Sequence, residues 1–316
     1  MMDPSPRLTI TEIRARLEAA KAGARSASPA SAPAPVPLPA TPGQTLIALV
    51  HDGSDRGVFE LAVAGIAQAL ESTELALVLQ AIPATSAPDQ AARLRGVLQR
   101  LRPSGIVLLP PLAERDDLAA LCEEAQVPCA RLGRGGEGLA CDDRGAMVGV
   151  IHWLVEQGHH RIGIVTGPET SLTAQQRELG YLDALADHEL DRGASLIVAG
   201  DNSFESGLSA GRLLLEVSPR PTAIVACNDE MAAGVLAAAA QAGVAVPSAL
   251  SVVGFDDAPL AARTVPALTT VHVPWQRMAF EAAVQFAGTT PQREDSGAFA
   301  AALILRDSVA PAEPQV

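Results

Sequence analysis

From Thr45 to about Val309 the chain repeats one pattern: a short apolar run, a polar tip, then an amphipathic stretch. The apolar runs fall at 46–50, 75–80, 105–109, 128–132, 161–165, 195–199, 222–226, 250–254, 269–273 and 302–306. Strands alternating with helical patterns imply parallel sheets with helices on both faces, joined by right-handed crossovers. Two irregular stretches interrupt the alternation. Gly133 to Asp142 carries Gly-Arg-Gly-Gly-Glu-Gly and the extended Leu139-Ala140-Cys141, and Ala258 to Leu268 precedes the run at 269–273. Two such breaks predict two α/β lobes whose chain crosses between them more than once. The expected organisation is a short helical segment at 1–25, a linker at 26–44, a ligand-binding domain at 45–309 and a tail at 310–316. The first lobe is expected at about 45–140 and 274–309, the second at about 141–270.

In the N-terminal segment, Thr9 followed by Glu12 reads as a capping box. Ile10, Ile13, Leu17 and Ala20 then follow at helical spacing, and the helix should fade by Gly23. The Pro/Ala-rich stretch Ser26 to Gln44 can form neither helix nor ladder, because proline removes donors and fixes φ.

The net charge is −13, and residues 1–44 are slightly basic, so the acidity lies in the lobes. Such a body repels phosphate backbones, and nucleic-acid affinity would need a separate basic module. Aromatics make up only 3% of the chain, too few for a base-stacking platform. Cys122, Cys129, Cys141 and Cys227 show neither C-x-x-C nor zinc spacing and read as small buried side chains in a reducing compartment. No apolar run is long enough to span a bilayer, and the first residues lead into no secretory h-region. A cytoplasmic location without membrane contact is expected.

In a parallel sheet, ligands bind beyond the carboxyl ends of strands. Asn228 follows the run 222–226, and Asp256 follows 250–254. Asn offers a donor and an acceptor, and ionised Asp offers acceptors, so together they can hold neighbouring hydroxyls of a sugar or nucleoside. Other motifs read more plainly. Gly133–Gly138 fits G-x-G-x-x-G but does not open directly into a helix, so it reads as a loop between lobes rather than a dinucleotide site. Asp256-Asp257 sit at a strand end, where adjacent side chains point apart, and no nucleophile or general acid accompanies them. His159-His160 lack a third ligand and read as structural. No catalytic residue, metal ligand or cofactor is expected.

The ordered set Cys227-Asn228-Asp229-Glu230-Met231-Ala232, Leu250-Ser251-Val252-Val253-Gly254-Phe255-Asp256-Asp257, Pro266-Ala267-Leu268-Thr269-Thr270-Val271 and Gly158-His159-His160-Arg161-Ile162-Gly163 resembles the effector-binding core of the LacI/GalR (lactose-repressor) family of transcription regulators. Thr173–Tyr181, Phe204-Glu205-Ser206-Gly207 and Leu305-Arg306-Asp307-Ser308 fit the same order. The resemblance covers 45–309. It implies a periplasmic-binding-protein-like pair of lobes holding a sugar-like effector in the cleft, a homodimer, and effector-controlled DNA binding without enzyme activity. By position it implies that Arg177 clamps the effector, that Asn228 and Asp256 read it, and that Thr173 assists. Ser54 and Asp55 then approach from the other lobe, and Trp275 opens the helix after the last crossover. The aromatic stacking position is Asn202 here, with Phe204 as its substitute, and Gly133 stands where a polar reader often follows the strand. No helix-turn-helix headpiece is visible in residues 1–44. A sugar sensor or a solute-binding protein without DNA binding of its own is the alternative.

Overall fold

The computed structural model describes residues 8–9, 46–83, 86–134, 139–288 and 299–312. The chain divides into two compact units. One runs from residue 46 to Cys141 and takes in 274–288 and Phe299; the other is Asp142–Val273 with β1 (Leu8–Thr9) and residues 300–312.

The first unit is built on a parallel sheet in the order β3-β2-β4-β5, formed by β2 (Leu46–His51), β3 (Ala76–Ala81), β4 (Gly105–Leu108) and β5 (Cys129–Arg131). Residues 47–50 of β2 and all of β4 are buried, as strands covered on both faces must be. The helices are α1 (Arg56–Leu70), α2 (Ala87–Leu101), α3 (Asp116–Glu124) and α8 (Trp275–Phe286). Side chains cap the first two: Asp55 accepts from Val58 N–H, and Ser86 accepts from Asp89 N–H. Each satisfies a donor that the first helical turn leaves without a partner.

The second unit repeats this plan. Its parallel order is β7-β6-β8-β9, from β6 (Ile162–Thr166), β7 (Ile197–Ala199), β8 (Ala223–Ala226) and β9 (Ser251–Val253). The helices are α4 (Asp143–Glu156), α5 (Leu172–Asp187), α6 (Phe204–Glu216) and α7 (Asp229–Gln241). Asp142, Ser171, Ser203 and Asn228 cap them in turn. Where α6 crosses α7, Gly207 lies against the Met231 backbone; a Cβ there would sit 2.2 Å from the Met231 carbonyl oxygen. Only glycine permits that approach.

All ten expected strands are present, with ends shifted by two residues at most. The last two do not extend the parallel sheets. β10 (Thr270–His272) and β11 (Ala302–Ile304) pair antiparallel, and β1 adds to β11 with Leu8 opposite Leu303 and Thr9 opposite Ala302. Thr9 is therefore a strand residue. The expected N-terminal helix (10–22), the linker at 26–44, Gly135–Gly138 and the tail beyond Ala312 lie outside the described residues.

Residues 300–309 were expected with the first lobe but cluster with the second unit, and the bonds explain why. Ser308 Oγ donates to the Val252 carbonyl (2.6 Å) and accepts from Thr269 N–H (2.8 Å). Arg306 donates to the Leu268 carbonyl (2.8 Å) and to Asp257 Oδ1 (2.5 Å). His159 is buried, and its Nε2 reaches the Ala310 carbonyl at 3.0 Å. A carbonyl only accepts, so Nε2 carries the proton and Nδ1 accepts from the Thr222 hydroxyl at 3.0 Å. The structural reading of His159 thus acquires a specific task, tying the C-terminal segment to β8's neighbourhood.

Burial holds the His159 imidazole below its ordinary value of 6.5, so the native state resists a proton that the unfolded chain accepts. Its contribution is present above 6.5 and is lost as pH falls from there through the lower native value. His159→Gln should lower stability by about 1–3 kcal/mol at neutral pH, the usual cost of leaving buried partners unsatisfied. The gap from wild type should narrow on acidification; thermal denaturation across the pH series reads both effects.

Candidate functional site

The polar groups of the second unit gather at the carboxyl ends of β6, β8 and β9, around Arg177. This arginine lies on α5 and is only 4% exposed. Its Nε donates to Asp143 Oδ1 at 2.8 Å, and Nη2 donates to Asp256 Oδ1 at 2.9 Å. Nη1 donates to the Cys227 carbonyl and, at 3.4 Å, to Asp256 Oδ2. The guanidinium carbon also stands 3.9 Å from the centroid of the Phe255 ring. Four of the five N–H groups of the fork are therefore engaged.

One cation faces two buried carboxylates here. Burial pulls the Arg177 pKa down, but the charges of Asp256 and Asp143 outweigh it and hold the guanidinium above its ordinary range. Burial raises the Asp143 pKa, and Arg177 offsets this only in part while Asp256 adds repulsion. Asp143 follows a second aspartate at the start of α4. Asp142 takes the cap, accepting from Gly145 N–H at 2.8 Å, and Asp143, first in the helix, turns to Arg177.

The Asp256-Asp257 doublet is shaped by its backbone. Both residues have positive φ, 102° and 57°. A non-glycine residue at such angles costs on the order of 1–3 kcal/mol and persists only where its surroundings impose it. Asp256 N–H donates to the Val271 carbonyl at 2.8 Å, which fixes the turn. The two carboxylates diverge as expected. Asp256 faces Arg177, while Asp257 accepts from Arg306 and meets His272 Nδ1 at 3.1 Å. Burial pushes the Asp257 carboxyl up, but the hydrogen bonds from His272 and Arg306 leave it below the usual carboxylate range.

Asn228 serves two backbones. Its Oδ1 accepts from Met231 N–H at 2.9 Å, and its Nδ2 donates to the Asn202 carbonyl at 3.0 Å. Asn202, at φ 70°, is thereby fixed just before the Ser203 cap. Phe204 is the first residue of α6 and half-buried. Thr173 lies buried in the first turn of α5, one turn before Arg177. A cavity of about 180 Å³ opens beside β6, lined by Gly167, Ala174, Gln175 and Glu178 among others, but by none of the nine expected contact residues.

The remaining three expected residues belong to the first unit. Asp55 caps α1, and Ser54 donates through N–H and Oγ to Asp52 Oδ1 at 2.9 and 2.7 Å. Asp52, which organises that loop, was not singled out in the sequence. Trp275 is only 1% exposed and packs against Gly133. A Cβ on Gly133 would stand 2.9 Å from the ring's Cη2 and 3.1 Å from Pro110, so the ring fills the space a reader at 133 would occupy.

Nothing in the cluster is set up for covalent chemistry. Burial pushes the Cys227 thiol up to about 12, far from a thiolate. Among the described residues no group of three or more His, Cys, Asp or Glu could hold a metal ion.

Asp229 completes the buried set. Its Oδ1 lies 2.5 Å from the Thr270 hydroxyl, and its Oδ2 accepts from Ala258 N–H at 2.7 Å. Burial raises its pKa well above 3.8. The folded state therefore holds this proton more tightly than the unfolded chain, and the contribution to stability is lost as pH rises from 3.8 through the native value. Asp229→Asn mimics the neutral acid, with its carbonyl on Ala258 N–H and its amide on Thr270. Its melting temperature should gain on wild type as pH rises toward neutrality. Asp229→Ala should instead lose about 1–3 kcal/mol by orphaning Ala258 N–H. Calorimetric scans of the three proteins over pH check both outcomes.

The periplasmic-binding-protein-like domain model matches residues 151–309, half of the chain. The transcriptional regulator AscG of Escherichia coli is 33% identical over 198 residues, which are 61% of this chain and 59% of AscG. Its crystal structure gives a TM-score of 0.68 at 30% identity, covering 84% of this chain and 99% of that one. A LacI family regulator from Mycobacterium smegmatis gives 0.70 at 26% identity, covering 85% of this chain and 100% of that one. The complex of the regulator CelR with cellobiose gives 0.69 at 27% identity, covering 85% and 86%. The chain spans about half the length of the curated regulators it matches. With its two βα units, its Arg177–Asp256 pair and these relatives, the chain belongs to the periplasmic-binding-protein-like domain family, in the form carried by LacI/GalR transcriptional regulators.

Proposed function

We propose that this chain is the sensing part of a LacI-type transcriptional regulator, not an enzyme, that binds a neutral sugar-like effector and couples it to DNA binding. The observation that carries the reading is the buried fork of Arg177 between Asp143 and Asp256, beside Asn228. Such a site supplies fixed acceptors and few donors. A guanidinium with four N–H groups already engaged cannot offer a bidentate grip to a carboxylate or phosphate, and the surrounding acids oppose a further anion. Hydroxyls, which both donate and accept, suit it. The cellobiose complex of the similar CelR favours the same class of ligand. Thr173, Asn202 and Phe204 border the site in this reading.

The mechanism is a population shift. An effector moves a two-state equilibrium only by its differential affinity for the two states, and a swing from 1:99 to 99:1 takes about 5.5 kcal/mol. Those states would differ in how a homodimer engages its operator in the cytoplasm. The sequence-level acidity of the lobes assigns DNA contact to a basic module rather than to these two units.

Arg177→Ala is a poor probe, because it leaves two buried carboxylates unpaired at a cost of about 3–5 kcal/mol. Asp256→Asn keeps the shape and removes the acceptor charge. Thermal-shift titration with neutral mono- and disaccharides, cellobiose included, should find a stabilising sugar, and Asp256→Asn should weaken its binding at least about tenfold, the 1.4 kcal/mol of one good hydrogen bond. An undiminished shift in that variant, or stabilisation by sugar acids and sugar phosphates in preference to neutral sugars, would overturn the assignment.

A further inference from the structure

Asn228 and Asp256 stand on different pieces of chain, and one buried side chain joins those pieces. Asp229 follows the Asn228 cap as the first residue of α7. An acid in a first helical turn commonly faces water and answers the helix dipole. Asp229 is instead only 1% exposed, and both of its oxygens bond far along the chain. Oδ2 accepts from Ala258 N–H at 2.7 Å, and Oδ1 lies 2.5 Å from the hydroxyl of the buried Thr270. Ala258 follows the Asp256-Asp257 turn directly, and Thr270 opens β10.

The turn needs such a hold. Its two residues sit at φ 102° and 57°, angles that persist only where the surroundings impose them. The contact with Arg177 fixes the Asp256 carboxylate but not the backbone that carries it. That backbone is held at both ends. Asp256 N–H donates to the Val271 carbonyl at 2.8 Å, and Ala258 N–H donates to Asp229. Asp229 acts on both holds, directly at Ala258 and through Thr270, the residue before Val271. Gly254 leaves the room for it: a Cβ there would stand 2.2 Å from Asp229 Oδ1.

We propose that Asp229 is a positioning residue for effector recognition: it latches the Asp256 turn to the start of α7 and so sets the spacing between Asn228 and Asp256. The inference rests on the reading of those two residues as effector contacts. Asp229 touches no effector in it and acts only through the backbone of the turn. Hydrogen bonds weaken steeply outside a narrow range of length and angle. A small drift of the turn is therefore felt as lost affinity, even with the Arg177–Asp256 pair intact.

Three variants of the full chain test the latch. Asp229→Ala removes both ties. Thr270→Val removes one and keeps the shape, and it carries the comparison if Asp229→Ala does not fold. Asp229→Asn keeps an acceptor for Ala258 N–H and a donor for Thr270. Hydrogen exchange followed by NMR, without any sugar, compares the Asp256 N–H with the amides of the buried strand β6, which report unfolding of the whole unit. Asp229→Ala should accelerate exchange at Asp256 at least about tenfold more than at β6, Thr270→Val by a smaller factor, and Asp229→Asn should restore protection. Thermal-shift titration with cellobiose and the other neutral mono- and disaccharides should show affinity falling in the same order, by about tenfold in Asp229→Ala. Equal acceleration at Asp256 and β6 would reduce Asp229 to a structural residue and overturn the proposal. Unchanged sugar affinity in Asp229→Ala, or failure of Asp229→Asn to restore it, would do the same. If no sugar binds the wild type, the effector reading itself falls, while local acceleration at Asp256 still establishes the latch.

Discussion

The second unit depends on one buried cation. A guanidinium removed from water needs anions and acceptors around it, because the desolvation penalty is several kcal/mol and is repaid only by good geometry. Arg177 finds them on separate pieces of chain: Asp143 at the start of α4, the carbonyl at the end of β8, and Asp256 beyond β9. Each must arrive in register for the cluster to close. The Asp256 backbone, at φ 102°, shows the consequence, since a strained conformation is tolerated where the alternative is an unpaired charge. The same closure places Phe255 under the guanidinium and Asn228 beside it.

The Asp256-Asp257 doublet extends this dependence outward. One carboxylate faces the buried arginine, and its neighbour faces Arg306 and His272. Arg306 in turn precedes Ser308, whose hydroxyl bridges β9 to the residue before β10. The terminal Leu305-Arg306-Asp307-Ser308 motif is thus a fastening. It ties the antiparallel pair β10–β11 to the parallel sheet at the point where Asp256 leaves it. A sequence motif distant by some fifty residues from the site is there to hold the turn that presents it.

The strands were legible because each is an apolar run between turn residues, and burial of such runs on both faces needs no knowledge of partners. Asn228 and Asp256 were legible for another reason: strand ends are where a parallel sheet exposes polar groups. Arg177, inside a helix, was legible only through the family resemblance. What stayed hidden was pairwise. Asp143 meets Arg177 across 34 positions of chain, and nothing local separates it from its capping neighbour Asp142. Asp52, which holds Ser54, was obscured in the same way by the capping role of Asp55. The assignment of 300–309 to the first lobe failed on direction. A run like Ala302–Ile304 reads equally well as a parallel or an antiparallel strand, and only the hydrogen bonds to β10 and Ser308 decide.

Gly133 and Trp275 show how a departure from a family pattern can be absorbed rather than left open. The space beside Gly133 at the end of β5 is not an empty corner: the Trp275 indole and Pro110 fill it. The first unit is therefore apolar at Gly133, where the resemblance implies a polar reader. In the second unit the charged groups are spent on one another. At the proposed effector site of the second unit, hydrogen-bond geometry rather than ionic attraction would then select a ligand. Such selection is exacting, because a ligand that fails to satisfy a buried acceptor incurs the full desolvation cost of that group. Under the proposed function, such a sensor would tell one sugar from its epimer by which hydroxyl finds Asp256.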